Sequence, residues 1–208
     1  MHTMHTMRTL YFISHPDVVI SPHVPITRWP LSPRGRERMA AALAQPWVAS
    51  LSAIYSSTEQ KAVDGAVMLA AYCGLGFVQV PALAENDRSS TGYLPEAEFE
   101  TVADAFFAQP GESVRGWETA AAAQARIVAA MASIAAADAT AGDVAVVSHG
   151  AVGALLHCHL AGHPISRRWD QPANGGGNYF TVEWGTQPRA LSWWLPIDAI
   201  APPVKRPS

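Results

Sequence analysis

The chain of 208 residues is poor in charge and rich in apolar side chains. Charged residues make up 15% of the sequence and hydrophobic residues 49%, and the formal net charge is −3. Because there is no basic excess, the composition favours neither nucleic acid nor an anionic membrane surface as a partner. The balance is typical of a globular protein, and the length predicts one domain over residues 1–208.

Cysteine pairs, leader segments and membrane spans are lacking as well. The sequence has two cysteines, Cys73 and Cys158, and without other signs of secretion we expect free thiols in a reducing cytoplasm. The apolar run at residues 10–13 is too short for a signal peptide, and no apolar stretch approaches the roughly 20 residues of a membrane-spanning helix. We therefore predict a cytoplasmic protein that does not contact membranes, with flexible ends at residues 1–6 and 201–208.

Short β-rich runs alternate with helical patterns along the rest of the chain. The β-rich runs are residues 9–14, 51–55, 77–80 and 143–148, and a closing pair of strands is expected at 180–184 and 190–194. Helices are expected at 33–43, 57–70, 96–107, 117–137 and 152–160, with Ser32 as a helix cap and a capping box from Ser57 to Gln60. This alternation predicts an α/β fold, a three-layer α/β/α sandwich around a mainly parallel sheet.

Two histidines directly follow predicted strands. His15 comes after the first strand and His149 after the strand at 143–148. Ligands of such sheets bind beyond the carboxyl ends of the strands, so both imidazoles are expected in one crevice. The glycine run at 175–177 lacks the following helix and lysine of a phosphate loop, and it is better explained as letting a strand start close to this crevice.

Six short motifs occur in a fixed order. They are Ser14-His15-Pro16, Leu31-Ser32-x-x-Gly35, Ser56-Ser57-x-x-x-Lys61-Ala62, Leu83-Ala84-Glu85, Gly111-Glu112-Ser113 and Val147-Ser148-His149-Gly150. Each motif is weak by itself, but the ordered set resembles the histidine phosphatase superfamily, which has the phosphoglycerate-mutase-like fold. The resemblance spans roughly residues 8–195.

The resemblance implies a phosphohistidine mechanism on a small phosphorylated substrate. His15 would be the nucleophile, and Glu85 would protonate the leaving oxygen and then activate water. His149 and cationic side chains, Lys61 among them, would hold the phosphoryl oxygens. No metal or other cofactor is implied. The alternative of a metal site at His159 and His163 is disfavoured, since no glutamate lies between them.

The sequence departs from the family where phosphate is bound. Ser14 replaces the arginine before the nucleophile, Pro16 replaces the following glycine, and Lys61 replaces the second arginine. Lysine keeps the charge but loses the two-pronged grip, and serine loses the charge.

Other side chains are candidates for the missing contacts. Ser14 and Ser21 are candidate hydrogen-bond donors to substrate. Arg88, three residues past Glu85, is the first candidate for a replacement cation, and Arg28 in the loop after the nucleophile is the second.

Several functions remain open on the sequence alone. A phosphomonoesterase is the first hypothesis. The second is a degenerate member that binds an anionic ligand or a partner protein without turnover, and a third is the same scaffold acting on a different substrate. A phosphoglycerate mutase is less favoured, because the stretch between Glu85 and Gly111 is short. The tryptophan-rich C-terminal strands are a candidate homodimer surface.

Overall fold

The described strands all belong to one mixed sheet. The structure is a computed structural model and describes residues 8–185 and 187–199, so the predicted flexible ends at 1–6 and 201–208 lie outside the described residues. The strands are β1 (Arg8–Ser14), β2 (Leu51–Ser56), β3 (Val78–Gln79), β4 (Asp143–Ser148), β5 (Asn178–Trp184), β6 (Arg189–Ala190) and β7 (Leu195–Pro196).

The parallel part of the sheet has the order β3-β2-β4-β1, and β5 and β6 extend it beyond β1. Strand β5 runs antiparallel to β1, and both β6 and β7 pair antiparallel to β5. The prediction of a mainly parallel central sheet is therefore confirmed, with an antiparallel edge.

The expected closing strand at 190–194 was wrong beyond Ala190. The hydroxyl of Ser192 accepts the N–H of Thr181 at 2.9 Å. The Thr181 N–H thus bonds to a side chain, while the Leu191 N–H still donates to the Thr181 carbonyl at 2.8 Å. Regular pairing with β5 resumes at β7.

Helices cover both faces of this sheet. They are α1 (Pro33–Ala42), α2 (Gln60–Cys73), α3 (Glu96–Ala108), α4 (Ala120–Ala137) and α5 (Gly150–Leu160). Alternate residues of β4 enter different cores: Val144 and Val146 pack with α3, α4 and α5, whereas Ala145 and Val147 pack with α1 and α2. This is the period of two expected for a strand buried on both faces. The three-layer α/β/α architecture is confirmed.

One helix start follows the sequence expectation and another does not. Ser32 caps α1, accepting the N–H of Gly35 at 3.0 Å, with Pro33 at the first helical position. The capping box predicted from Ser57 to Gln60 does not form. Glu59 is the residue at the start of α2, and the Ser57 hydroxyl accepts the N–H of Glu59 at 3.2 Å. Ser57 is thus held in the loop, where it meets His149.

Helix α4 corrects an expectation about membrane spans. Its 18 residues are long and apolar enough to cross a membrane by length and composition, although core helices pass the same test. Its buried face packs in the core of this fold, and Gln124 donates to the carbonyl of Leu155 on α5 at 2.9 Å. Arg126 on the same helix binds Glu118 and the carbonyls of residues 82, 84 and 85.

Candidate active site

The two predicted histidines meet at the carboxyl end of the parallel sheet. Strands β1 and β4 are parallel neighbours in a register that pairs Ser14 with Ser148, so the residue after each strand falls at the same edge. The ring centroids of His15 and His149 are 5.2 Å apart, at an interplanar angle of 71°. The expectation that the two imidazoles meet at this edge is confirmed, but His149 is not among the described residues that line the cavity of His15.

The His15 ring is held in one tautomer by its own turn. Its Nδ1 lies 2.9 Å from the carbonyl oxygen of Pro16. A carbonyl can only accept, so Nδ1 carries the proton and Nε2 keeps its lone pair. Burial, aided by the positive charge of Lys61, lowers the pKa of His15 to about 4. The imidazole is therefore neutral at ordinary pH, as a nucleophile must be.

The glycine run before β5 packs directly on this turn. Gly175, Gly176 and Gly177 all have positive φ angles. The N–H of Gly177 donates to the His15 carbonyl at 3.0 Å, and a Cβ on Gly176 would lie 2.3 Å from that same oxygen. A side chain would both strain the backbone and displace the turn. The sequence-based explanation of the run, a strand starting close to the site, is confirmed.

His149 lies behind His15 and has no exposed surface. Its Nε2 is 2.8 Å from the Ser57 hydroxyl and 3.5 Å from the Glu59 carboxylate. Burial lowers the pKa of His149 well below its usual value, with Glu59 only partly opposing the shift. The ring is therefore neutral, and its contact with Glu59 is not an ion pair.

Glu85 is anchored at the start of α5. Its carboxylate accepts the backbone N–H groups of Ala151 at 3.2 Å, Val152 at 3.0 Å and Asn86 at 3.1 Å. The N-terminus of a helix suits a negative charge, and here the protein supplies one itself. This contact fixes the orientation of the carboxylate beside His15, with which it lines one cavity.

Two cavities adjoin at the predicted catalytic residues. One, of about 640 Å³, is lined by His15, Glu85 and Arg88 together with aromatic side chains. The other, of about 510 Å³, is lined by the loop around Ile26 and by Glu59, Glu85 and Arg88. The shared members place Glu85 and Arg88 at the junction of the two spaces, which together could hold a small ligand.

Arg88, the first candidate for a replacement cation, lies in this junction. Its guanidinium sits over the rings of Phe99 at 5.0 Å and Trp117 at 5.8 Å. Cation–π contacts of this kind fix the side chain without neutralising its charge. Arg88 therefore faces the cavity of His15 as a positioned cation.

Lys61 is placed differently from the expectation of a free phosphate ligand. Its side chain is 3% exposed, its ammonium lies 2.6 Å from the Glu59 carboxylate, and it donates to the carbonyl of Ile26 at 2.8 Å. Lys61 is not among the described residues that line either cavity. Its charge is therefore neutralised from within the protein.

Ser14 is likewise committed to the protein. The fully buried hydroxyl donates to Gln171 Oε1 at 2.5 Å and accepts the N–H of Asn178 at 3.1 Å. This corrects the expectation that Ser14 contacts substrate. Gln171, which lines the His15 cavity, was missed by sequence reasoning, since 157 residues separate it from Ser14.

Two further candidates from the first loop do not reach the site. The carbonyl of Ser21 accepts the indole N–H of Trp29 at 3.0 Å, which folds that loop on itself. Arg28 is exposed, and neither residue is among the described residues that line the two cavities. The structure therefore gives no support for substrate contacts by Ser21 and Arg28, which stay predictions.

Asp170 lines the His15 cavity together with the carboxylates of Glu85 and Glu100, and the sequence did not single it out. Burial raises the pKa of Asp170 to about 6, and the charge of Glu85 adds to the rise. It lies 3.9 Å from Arg167, which binds Glu100 and Asp104 on α3 across the cavity rim. The charge of Glu85 accounts for part of the raised pKa of Asp170. The two residues are far apart in the sequence, and the fold brings them together.

Within the described residues, no group of three or more His, Cys, Asp or Glu side chains could hold a metal ion. The pair considered from the sequence, His159 and His163, belongs to α5 and the turn after it. The His163 ring stacks on Trp169 with centroids 4.1 Å apart, a packing role that needs no metal.

Comparison with solved structures finds the same fold at low sequence identity. A mycobacterial glucosyl-3-phosphoglycerate phosphatase, solved with inorganic phosphate, is 21% identical with a TM-score of 0.74, covering 92% of this chain and 99% of its own. Bacillus stearothermophilus YhfR is 19% identical with a TM-score of 0.68, covering 88% and 94%. A candidate alpha-ribazole-5'-P phosphatase from Escherichia coli is 19% identical with a TM-score of 0.68, covering 94% and 99%.

A comparison with curated protein sequences found no match. The family model of the histidine phosphatase superfamily (branch 1) matches residues 24–194. The match begins after His15, so the altered Ser14-His15-Pro16 turn lies outside it. It nevertheless covers Glu85, His149 and most of the sheet, and the chain belongs to the histidine phosphatase superfamily.

Proposed function

We propose that the chain is a phosphatase that hydrolyses a small phosphomonoester through a phosphohistidine on His15. The observation that carries the proposal is the neutral imidazole of His15, with its Nδ1 proton bound to the Pro16 carbonyl, in a cavity that also holds Glu85 and Arg88. A nucleophile, an acid/base and a cation then surround one space.

The two half-reactions use the same pair of residues. Nε2 of His15 attacks phosphorus and forms an N–P bond as the P–O bond to the alcohol breaks, and Glu85 in its acid form protonates the leaving oxygen. Water then attacks the phosphohistidine, and Glu85 takes its proton as the N–P bond breaks. His149 supports the ring of His15 from behind, and Arg88 is the cation that meets the phosphoryl oxygens.

Arg88→Ala is expected to weaken the binding of orthovanadate or inorganic phosphate by about tenfold to a hundredfold, because it removes the charged partner at the junction of the two cavities. Isothermal titration calorimetry measures the change. Arg28→Ala is the matched control, since that arginine is exposed outside the cavities, and it should bind like the wild type. Equal losses in both variants would remove Arg88 from the site.

The proposed mechanism is tested by trapping the phosphoenzyme. Rapid quenching with base during turnover of p-nitrophenyl phosphate should leave one phosphoryl group on the chain, stable to alkali and lost in mild acid, as an N–P bond requires. Mass spectrometry of the peptides should place it on His15. A phosphoryl group found on another residue, or none in a preparation that releases phosphate, would contradict the phosphohistidine route.

A second function has an observation in its favour. The Glu59–Lys61 ion pair and the buried Ser14 leave Arg88 in place of the two arginines of the family, which fits a member that binds an anionic ligand or a partner protein without turnover. Phosphate release that is absent over a broad panel of esters, sugar-acid phosphates included, would favour this function. Mutase activity and an altered substrate stay lesser proposals on the same scaffold.

The remaining features of the proposed protein rest on the sequence. A cytoplasmic location, independence of metals and other cofactors, and the absence of nucleic-acid and membrane partners are proposals from composition and family. A homodimer through the C-terminal strands is a further proposal, supported by the partial exposure of Trp193.

A further inference from the structure

A buried carboxylate lies in the wall of the smaller cavity, beside Glu85 and Arg88. The side chain of Glu59 is 6% exposed, with Oε2 at 2.6 Å from the ammonium of Lys61 and Oε1 at 3.5 Å from Nε2 of His149. Oε1 also accepts the backbone N–H of Glu85 at 2.9 Å. The carboxylate thus contacts both Lys61 and His149 from the wall of the smaller cavity, which it lines with Glu85 and Arg88.

This carboxylate remains ionised. Burial alone would raise the pKa of Glu59, but the interactions with His149 and with the charge of Lys61, together with the hydrogen bonds from the Lys61 ammonium and the Glu85 N–H, outweigh burial and lower it.

The charges around His15 therefore nearly cancel before any ligand arrives. Lys61 is offset by Glu59, and Arg88 shares the cavity junction with Glu85. His15 and His149 are neutral, since burial lowers the pKa of both. Asp170 adds a carboxylate to the lining of the His15 cavity. The charged side chains that line the His15 cavity are then Arg88 and Arg167 against Glu85, Glu100 and Asp170.

We propose that Glu59 is a fixed internal counter-anion of the phosphoryl site, so that the site takes singly charged phosphoryl groups in preference to doubly charged ones. The inference rests on the proposed function of this site and specifies its substrate class. Repulsion from Glu59 scales with the charge of the ligand, and it is strong because the carboxylate lies in a low-dielectric wall.

The test compares two tetrahedral oxyanions of fixed charge, sulfate and perchlorate, at one pH and one ionic strength. In Glu59→Gln, the isosteric neutral amide frees Lys61, and sulfate is expected to bind about tenfold tighter than to the wild type. Perchlorate, with half the charge, should gain only about threefold. Titration calorimetry gives both constants, and loss of sulfate binding in Arg88→Ala assigns the site.

A second pair of variants keeps the test decisive if Glu59→Gln folds poorly with Lys61 unpaired. Lys61→Met leaves Glu59 alone, and Glu59→Gln with Lys61→Met removes both charges. The double variant should bind sulfate about tenfold tighter than Lys61→Met, and thermal unfolding reports whether each is folded.

Two outcomes would overturn the counter-anion role. One is an unchanged sulfate affinity in folded Glu59→Gln, and the other is an equal gain for both anions, which indicates a change of shape rather than of charge. Phosphohistidine formation is measured separately on the wild type, so its presence beside either outcome rejects this inference alone. If neither the wild type nor Glu59→Gln binds sulfate and no phosphohistidine forms, both the counter-anion role and the proposed function are rejected.

Discussion

Replacement of His15 by alanine is expected to lower kcat/KM for phosphomonoester hydrolysis by at least about a thousandfold. No other described side chain at this edge of the sheet offers an equivalent nucleophile, because the neighbouring ring of His149 is fully buried behind it. Steady-state hydrolysis of p-nitrophenyl phosphate measures the loss. Because the pKa of His15 is lowered to about 4, the neutral ring is present throughout an assay at pH 5–8.

The matched control is His23→Ala, which removes an exposed histidine of the loop that follows β1. Its activity should equal that of the wild type. Among the described contacts, the His15 side chain hydrogen-bonds only to the Pro16 carbonyl of its own turn. The fold should therefore survive its replacement, and a thermal melt checks this. If folded His15→Ala keeps more than about a tenth of the wild-type activity, His15 is not the nucleophile.

The catalytic geometry was predictable because it depends on few rules. A residue that follows a parallel strand faces the carboxyl edge of the sheet, so His15 and His149 needed only adjacent strands to meet. The order β4-β1 supplies that adjacency. The two buried cores likewise followed from short apolar runs between helices. These features survive small errors in element boundaries.

The charge state of the site was not predictable from sequence. Lys61 in the first turn of α2 suggested a free cation, but whether Glu59, two residues earlier, turns inward depends on the loop that holds Ser57. Residues two apart on a helix do not face each other. Because Glu59 precedes the helix, that rule does not apply, and its carboxylate reaches Lys61.

Long-range side-chain contacts could not be predicted from the sequence for a similar reason. Ser14 and Gln171 are 157 residues apart, and no local pattern links them. The choice between Arg88 and Arg28 could be ranked only by distance along the chain from Glu85 and His15. In the fold, the Phe99 and Trp117 rings hold Arg88 at the His15 cavity while Arg28 is exposed, which favours Arg88.

Glu85→Gln is expected to lower kcat by about a hundredfold to ten-thousandfold for esters of poorly leaving alcohols, because the amide can neither donate a proton to the leaving oxygen nor accept one from water. The loss in the first half-reaction should be much smaller for p-nitrophenyl phosphate, whose leaving group needs little protonation. A comparison of phenyl and p-nitrophenyl phosphates in single-turnover experiments measures the difference.

This dependence on the leaving group separates acid catalysis from a structural role. The Glu85 carboxylate accepts three backbone N–H groups at the start of α5, and glutamine keeps only one oxygen for them, so some loss of thermal stability is expected as well. A loss of packing would slow both esters equally, whereas loss of the acid slows phenyl phosphate more. Glu37→Gln, an exposed carboxylate on α1, is the matched control. Equal slowing of the two esters by Glu85→Gln would show that Glu85 only caps the helix. Another acid of the cavity would then protonate the leaving oxygen, and Asp170, whose pKa is raised by burial, would be the first candidate.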